Sequence, residues 1–216
     1  MANAETAFGL RPVGLVGAGV NSTGVTEYEI ASNNANAIFQ YGLVIPTADG
    51  VIARAADTAG GTTAALGVLM GIQYQDSVQK KPVWLNYWPG SGSVSVDTNY
   101  PVKAYVADNP DQLFVVAADA TLTNRATALA AVFANASLGT SAQAGSTATG
   151  RSTSQLGVST INTTATLPLR IVGLVNDVAN SDYVAAGAHL LVRINAHFNA
   201  ATRRFDSQTT ADSTGI

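Results

Sequence analysis

The chain has no cysteine among its 216 residues. That absence excludes disulfide staples, thiolate metal sites and cysteine nucleophiles together, and it fits assembly in a reducing cytoplasm. Charge is also scarce: Asp, Glu, Lys and Arg make up 12% of the residues, about half the ~25% usual in soluble domains. The 11 Lys and Arg are dispersed, with Lys80–Lys81 and Arg203–Arg204 the only adjacent pairs. Holding a phosphate backbone takes clustered cations, so no nucleic-acid partner is expected. No apolar run approaches the ~18–20 residues of a membrane span. Residues 1–5 lack the basic and apolar regions of a signal peptide, so neither a membrane partner nor a secretory leader is expected.

What is present is apolar and small. Hydrophobic residues make up 47% of the chain, ample for a buried core, and the net charge is only −3. The length suits one large β-domain or two small ones. The surface is left mainly to Ser, Thr, Asn, Gln and Ala. A surface this poor in charge invites association, which suits a protein covered by copies of itself or by a scaffold.

Strand signals recur along the chain. Residues 1–24 read as an extended arm, because Gly9, Gly14, Gly17, Gly19, Gly24 and Pro12 interrupt Phe8, Leu10, Val13, Leu15 and Val16. Such an apolar segment is either an internal strand or one ordered by a partner. A β-rich body is expected over residues 25–198. Thr26, Tyr28 and Ile30 alternate with Glu27 and Glu29, and residues 38–45 read as one strand. Asp49-Gly50 is a hairpin turn, Gly60-Gly61-Thr62-Thr63 is a loop, and residues 66–72 resume an apolar strand. Residues 83–89 follow, then Val102, Ala104 and Val106 alternating with Lys103 and Tyr105. Asn109-Pro110-Asp111 turns the chain into residues 113–116. Residues 169–175 read as a strand, and Leu190, Val192 and Ile194 alternate against His189, Arg193 and Asn195. One Ala-rich helix is expected within residues 122–136, where Leu122, Leu129, Val132 and Phe133 fall near helical spacing. Residues 139–160, small, polar and glycine-containing, read as a flexible loop that tolerates shortening, and residues 199–216 as a polar tail. Many short strands between turn signals imply a mainly β fold, a β-sandwich or barrel.

No catalytic, cofactor or metal site assembles from these residues. His189 and His197 stand eight positions apart, about 27 Å in an extended strand, too far to share a metal ion; both read as solvated or locally hydrogen-bonded. The glycines of residues 14–19 follow no strand and lack the lysine of a phosphate loop. Asp108-Asn109-Pro110-Asp111 lacks the acidic spacing of a calcium loop and reads as a turn. The sequons at Asn21, Asn135 and Asn162 are expected by chance in so Asn-, Ser- and Thr-rich a chain. Neither histidine has a recognisable nucleophile context, so no enzyme and no small-molecule substrate are expected. The aromatic group Trp84, Tyr87 and Trp88 is the best functional candidate. In a strand Trp84 and Trp88 share one face and Tyr87 takes the other; core packing and an interface both remain open.

Several stretches taken in order resemble a known family. Met1-Ala2-Asn3-Ala4 followed by Phe8-Gly9-Leu10-Arg11-Pro12-Val13-Gly14 is similar to the opening of capsid cement (head decoration) proteins of tailed bacteriophages, notably phages of aquatic bacteria and cyanobacteria. The similarity continues through Thr26-Glu27-Tyr28-Glu29-Ile30-Ala31-Ser32 and Leu66-Gly67-Val68, and is strongest at Lys81-Pro82-Val83-Trp84-Leu85-Asn86-Tyr87-Trp88-Pro89. Residues 107–114, 169–174 and 191–195 extend it over most of the chain; the Ala-rich segment and the last fifteen or so residues fit least well. The resemblance implies a non-catalytic protein on the outer capsid surface of a virion, assembled in the host cytoplasm, that bridges neighbouring major capsid protein subunits. It also favours a homotrimer over the dimer that closed symmetry makes commonest. Phe8, Leu10, Arg11, Pro12 and Val13 in the arm, with Trp84, Tyr87 and Trp88, are the candidate contacts to the capsid or to a neighbouring copy. A phage tail or baseplate protein, and a carbohydrate-binding β-sandwich suggested by the tryptophans, are the alternatives.

The alternation at residues 190–194 makes a direct prediction. Val192→Asp should abolish soluble folding, whereas Arg193→Ser should not. Soluble yield and circular dichroism of the two variants check the register, and equal tolerance would refute it.

Overall fold

The computed structural model describes residues 3–4, 7–17, 24–55, 64–139 and 144–200. It is mainly β: the described residues form thirteen strands in three sheets and one six-residue helix, α1 (Arg125–Ala130). In chain order the strands are β1 (Arg11–Leu15), β2 (Thr26–Ile30), β3 (Leu43–Pro46), β4 (Ile52–Arg54), β5 (Gly67–Gln75), β6 (Pro82–Leu85), β7 (Val102–Ala107), β8 (Gln112–Ala117), β9 (Asn135–Ala136), β10 (Gly145–Ser146), β11 (Arg151–Ser152), β12 (Leu169–Leu174) and β13 (His189–Ile194).

Period-two alternation builds the first layer. Along β7, Val102, Ala104 and Val106 are buried while Lys103 and Tyr105 point outward and are half-buried. With Ile30, Val44, Ile52, Leu69 and Ile72 they line one apolar core. The strands around it run β3-β4-β2-β7-β5, and β3 pairs again with β5, so the ladder closes into a ring. Its pairs are antiparallel except for the parallel bridge from Ile30 to Ile52. Closure pairs each strand of the ring on both sides, which removes the aggregation-prone edges of an open sheet. β6 pairs with the far half of β5 and lengthens the wall. Asp49-Gly50 makes the expected turn between β3 and β4, with Gly50 at φ +77°.

A five-stranded antiparallel sheet, β1-β8-β13-β12-β9, forms the second layer. Phe114, Val116, Leu169, Ile171, Leu190, Val192 and Ile194 face a second core. Val115, Ala117 and Leu191 face the other way, where Phe8 covers them. Arg193 lies opposite the core as alternation requires, although it is half-buried rather than solvated. The two layers share a wall. Leu43 pairs with Val68 and both feed the second core, while their neighbours Val44 and Leu69 feed the first.

Four expectations are corrected. The arm of residues 1–24 belongs, in its described part, to the body: β1 pairs with β8 through Arg11 opposite Val115, and Leu10 is buried in the second core. Of its two readings, the internal strand is the one found, because Phe8 and Leu10 bury more apolar area at home than a solvated arm would; residues 18–23 lie outside the described residues. The single strand over 38–45 is broken at Tyr41, whose φ is +66°, so that Ile38 and Gln40 make isolated bridges before β3 begins. The helix is confined to α1, capped by the Asn124 side chain accepting from the Thr127 N–H at 2.9 Å. It stops early because the Phe133 N–H and the Ala134 carbonyl are taken by Ile171 of β12.

The fourth concerns residues 139–160, of which 140–143 lie outside the described residues. The rest is packed, not loose. Leu156 is fully buried, donating its N–H to Ala117 and accepting from Asp119. The Ser152 and Ser154 hydroxyls bond each other at 2.8 Å inside the protein, and Gly145 lies so close to the Phe39 ring that a β-carbon would not fit. Small polar residues order here because their backbone groups find partners on the strands. The Gly60-Gly61 loop and residues 201–216 of the tail also lie outside the described residues.

Leu156→Ala should therefore cost about 3 kcal/mol, lowering the melting temperature by roughly 6–12 °C for a chain of this size. Differential scanning calorimetry checks it; an unchanged transition would restore the loose loop.

Candidate functional site

The structure separates the eight candidates. Phe8 and Leu10 are buried, and Trp88 is enclosed in the barrel core with its Nε1–H donating to the Asn34 carbonyl at 3.0 Å. These three serve packing and are withdrawn as partner contacts. Tyr87 is half-buried and stacks on Phe39, ring centroids 5.4 Å apart at 7°. Arg11 lies 4.6 Å above the Phe8 ring, Pro12 is half-buried and Val13 is exposed at the outer strand β1. Trp84 is 62% exposed. The expected shared face of Trp84 and Trp88 does not form: β6 ends at Leu85, and the bends at Asn86 and Tyr87 turn Trp88 inward to bridge Ile38.

Trp84 stands in a grid on the outer face of β6, β5, β7 and β2. Gln73 is opposite Trp84 on one side and Lys103 on the other, and Lys103 is opposite Glu29. In the next row Gly71, Tyr105 and Glu27 face one another. Since position 71 carries no side chain, the diagonal from Trp84 to Tyr105 is open, and the two rings stack at 5.6 Å and 13°. The Tyr105 hydroxyl donates to Gln73 Oε1 at 3.2 Å, and Lys103 Nζ pairs with Glu27 Oε1 at 2.9 Å. That pairing raises the Lys103 ammonium above its usual range. Beside the stack lies a shallow cleft of about 150 Å³, lined by Gln73, Gln75, Pro82, Tyr100, Pro101 and Lys103 among others. Tyr105 and Lys103 were legible as the outward set of their strand. Gln73 was not, because its strand reads as apolar at the start and polar at the end.

A further exposed aromatic is Phe133, which the sequence pattern assigns to the apolar spacing of the Ala-rich helix. Phe133 is 79% exposed and holds φ at +73°, a region that costs a non-glycine residue about 1–2 kcal/mol. Leu129, four residues earlier, is exposed as well. Helical periodicity had placed both on a packed face. The early end of α1 frees Phe133, whereas Leu129 is exposed within the helix, whose buried residue is Ala128.

The two histidines are buried, not solvated. His189 meets the Phe8 ring edge-on at 5.0 Å. His197 is 2% exposed and ties the layers together, since its neighbours Ala196 and Phe198 hydrogen-bond to either side of Ala65. Its Nδ1 accepts from the Asn199 N–H at 3.1 Å, the local bond expected of it. Burial pushes its pKa from 6.5 down to about 4, against a weaker upward pull from Asp108 and Asp111. Asp108 itself accepts from Thr26 Oγ1 at 2.8 Å and Tyr28 Oη at 2.6 Å, while the Asp111 N–H closes the turn onto Asn109.

A depressed histidine makes stability depend on pH. Above pH 6.5 neither state binds the proton; below it the unfolded chain does, while folded His197 resists until about pH 4. Stability should therefore fall by about 3 kcal/mol as pH drops through that window. Urea unfolding at about pH 7 and about pH 4.5 should show this loss in the natural chain and a clearly smaller one in His197→Gln. Equal losses would mean that the carboxylates alone govern acid stability.

Comparison of the chain with protein-family models, with curated proteins and with solved structures finds no match in any of the three.

Proposed function

We propose that this chain is a structural, non-enzymatic virion protein that docks on the outer surface of a bacteriophage capsid and cements neighbouring major capsid subunits. The observation that carries the reading is Phe133. A strained backbone holds a large apolar ring in solvent, anchored by the Phe133 N–H donating to Ile171 of β12 at 2.8 Å. Glycine would occupy that conformation without strain, and a polar residue would solvate better. Strained residues that persist are concentrated where a protein engages something else, and a rigidly presented aromatic is suited to fill a pocket on a partner. Leu129, four residues earlier, is a second exposed apolar group on the same segment.

The rest of the surface supports the same reading. Charged residues are few, so a neighbouring subunit can approach without displacing many hydrated ions. The order of motifs resembles that of cement proteins. Repetition on a lattice lets contacts of modest strength add, and a homotrimer would repeat such a ring three times about one symmetry axis. Because Phe8 and Leu10 are packed into the body, attachment is assigned to the body's surface and not to a free arm.

Phe133→Gly separates strain from attachment. Removing the strain should leave the melting temperature unchanged or slightly raised, while occupancy on purified empty heads falls about tenfold, as expected when one anchoring aromatic is lost. Co-sedimentation with heads measures it. Undiminished occupancy would refute the role of Phe133, and binding to isolated tails instead of heads would move the protein to the tail.

A further inference from the structure

We infer that the outer face of the barrel around Trp84 is a binding platform for a neutral saccharide. This inference is independent of where the protein sits on a particle, since it rests on the chemistry of one face.

Three properties of that face select the ligand. The first is a flat apolar surface in solvent: Trp84 is 62% exposed, and its ring is fixed by stacking on Tyr105 at 5.6 Å and 13°. A ring held against a second ring loses little freedom when something settles on its free side. Trp and Tyr supply such amphipathic contact area at low entropic cost. The second property is hydrogen-bonding capacity beside the rings. Gln73 lies directly across from Trp84 and already accepts from the Tyr105 hydroxyl, which leaves its amide N–H₂ to donate. The cleft next to it carries Gln75 and the exposed Tyr100. The third is the lack of a free cation. Lys103 is paired with Glu27 at 2.9 Å, and Lys80 at the hairpin end with Asp97 at 3.1 Å.

A ligand that fits must be apolar on one face, rich in hydroxyls at its rim and uncharged. A pyranose ring has those features: its axial C–H groups lie on the aromatic face, and its equatorial hydroxyls reach the amides. A nucleotide or a sulfated sugar would need a free cation, whereas Lys103 and Lys80 are each paired and Glu29 opposite Lys103 adds a further negative charge. An apolar side chain laid on the face would leave the Gln73 amide N–H₂ desolvated without a partner, a cost of about 1–3 kcal/mol. The cleft, about 150 Å³ and shallow, suits one or two sugar units lying along a chain and not an enclosed small molecule.

The test uses the full chain, with cellohexaose, maltohexaose and a hexamer of N-acetylglucosamine as neutral probes and a heparin hexasaccharide as the anionic one. Indole N–H resonances report the two tryptophans separately. At least one neutral probe should shift the Trp84 signal at millimolar concentration and leave that of buried Trp88 in place. Trp84→Ala should weaken the binding about tenfold, and Gln73→Ala several-fold, both with unchanged circular dichroism. Trp84 is largely exposed, so its removal leaves the core intact. The inference is overturned if no neutral probe moves the Trp84 resonance, if Trp84→Ala binds as well as the natural chain, or if the heparin fragment binds more tightly than every neutral probe. It is overturned equally if Trp84→Ala loses attachment to heads while no saccharide binds, since the face then belongs to a protein interface.

Discussion

Everything in this chain hangs on the place where β3 meets β5. There Leu43 lies opposite Val68, and each strand turns one side chain toward the barrel interior and the next toward the five-stranded sheet. One wall thereby serves two cores, and neither layer can shift without disturbing the other. Gly67 makes the junction possible: a β-carbon there would strike the Ala107 carbonyl and the Val106 side chain. β7 approaches β5 so closely at this point that only hydrogen fits. The junction is reinforced from the far end of the chain, where Ala65 is held between Ala196 and Phe198.

Residue alternation made much of this legible. The strands at residues 26–30, 102–107 and 189–194 could be read directly, because one face is apolar and the other is not. The hairpin at Asp49-Gly50 was legible for a different reason, since its turn chemistry is local. What failed was whatever depends on distant partners. Residues 144–160 look solvated by composition, yet Leu156 and a pair of serines pack because β8 and Gln40 offer hydrogen bonds that no local pattern announces. The alanine-rich stretch has the spacing of a longer helix, but β12 claims the backbone after Val132 and ends it. Trp84 and Trp88 show the same limit within five residues, since a two-residue bend sends one into solvent and the other into the core.

The surface is organised by the same shortage of charge that marks the composition. Both ion pairs found among the described side chains lie on or beside the barrel's outer face, where they balance the few charges present. Large apolar groups then stand in solvent at separate places, Trp84 on β6 and Phe133 after α1. They differ in kind. Trp84 rests on a neighbouring ring in an unstrained strand, with polar groups around it. Phe133 projects from a strained backbone, four residues after the exposed Leu129. The first arrangement suits a small amphipathic ligand, and the second suits a pocket on a large partner.

The order of strands in the five-stranded sheet has a consequence for how the chain is made. β13 sits between β8 and β12, and β1, among the first residues described, pairs only with β8. During synthesis the opening strand must wait for about a hundred residues before its partner leaves the ribosome, and the sheet stays incomplete until residue 194 emerges. Pairing between such distant segments folds slowly, and apolar strands stay uncovered in the meantime. The barrel strands β2 to β7 are contiguous in sequence and depend on no later partner for their ring. They can close first and present the β3–β5 wall as a template. Once residue 110 has emerged from the ribosome, the nascent chain should therefore hold a folded barrel beside an unpaired first strand.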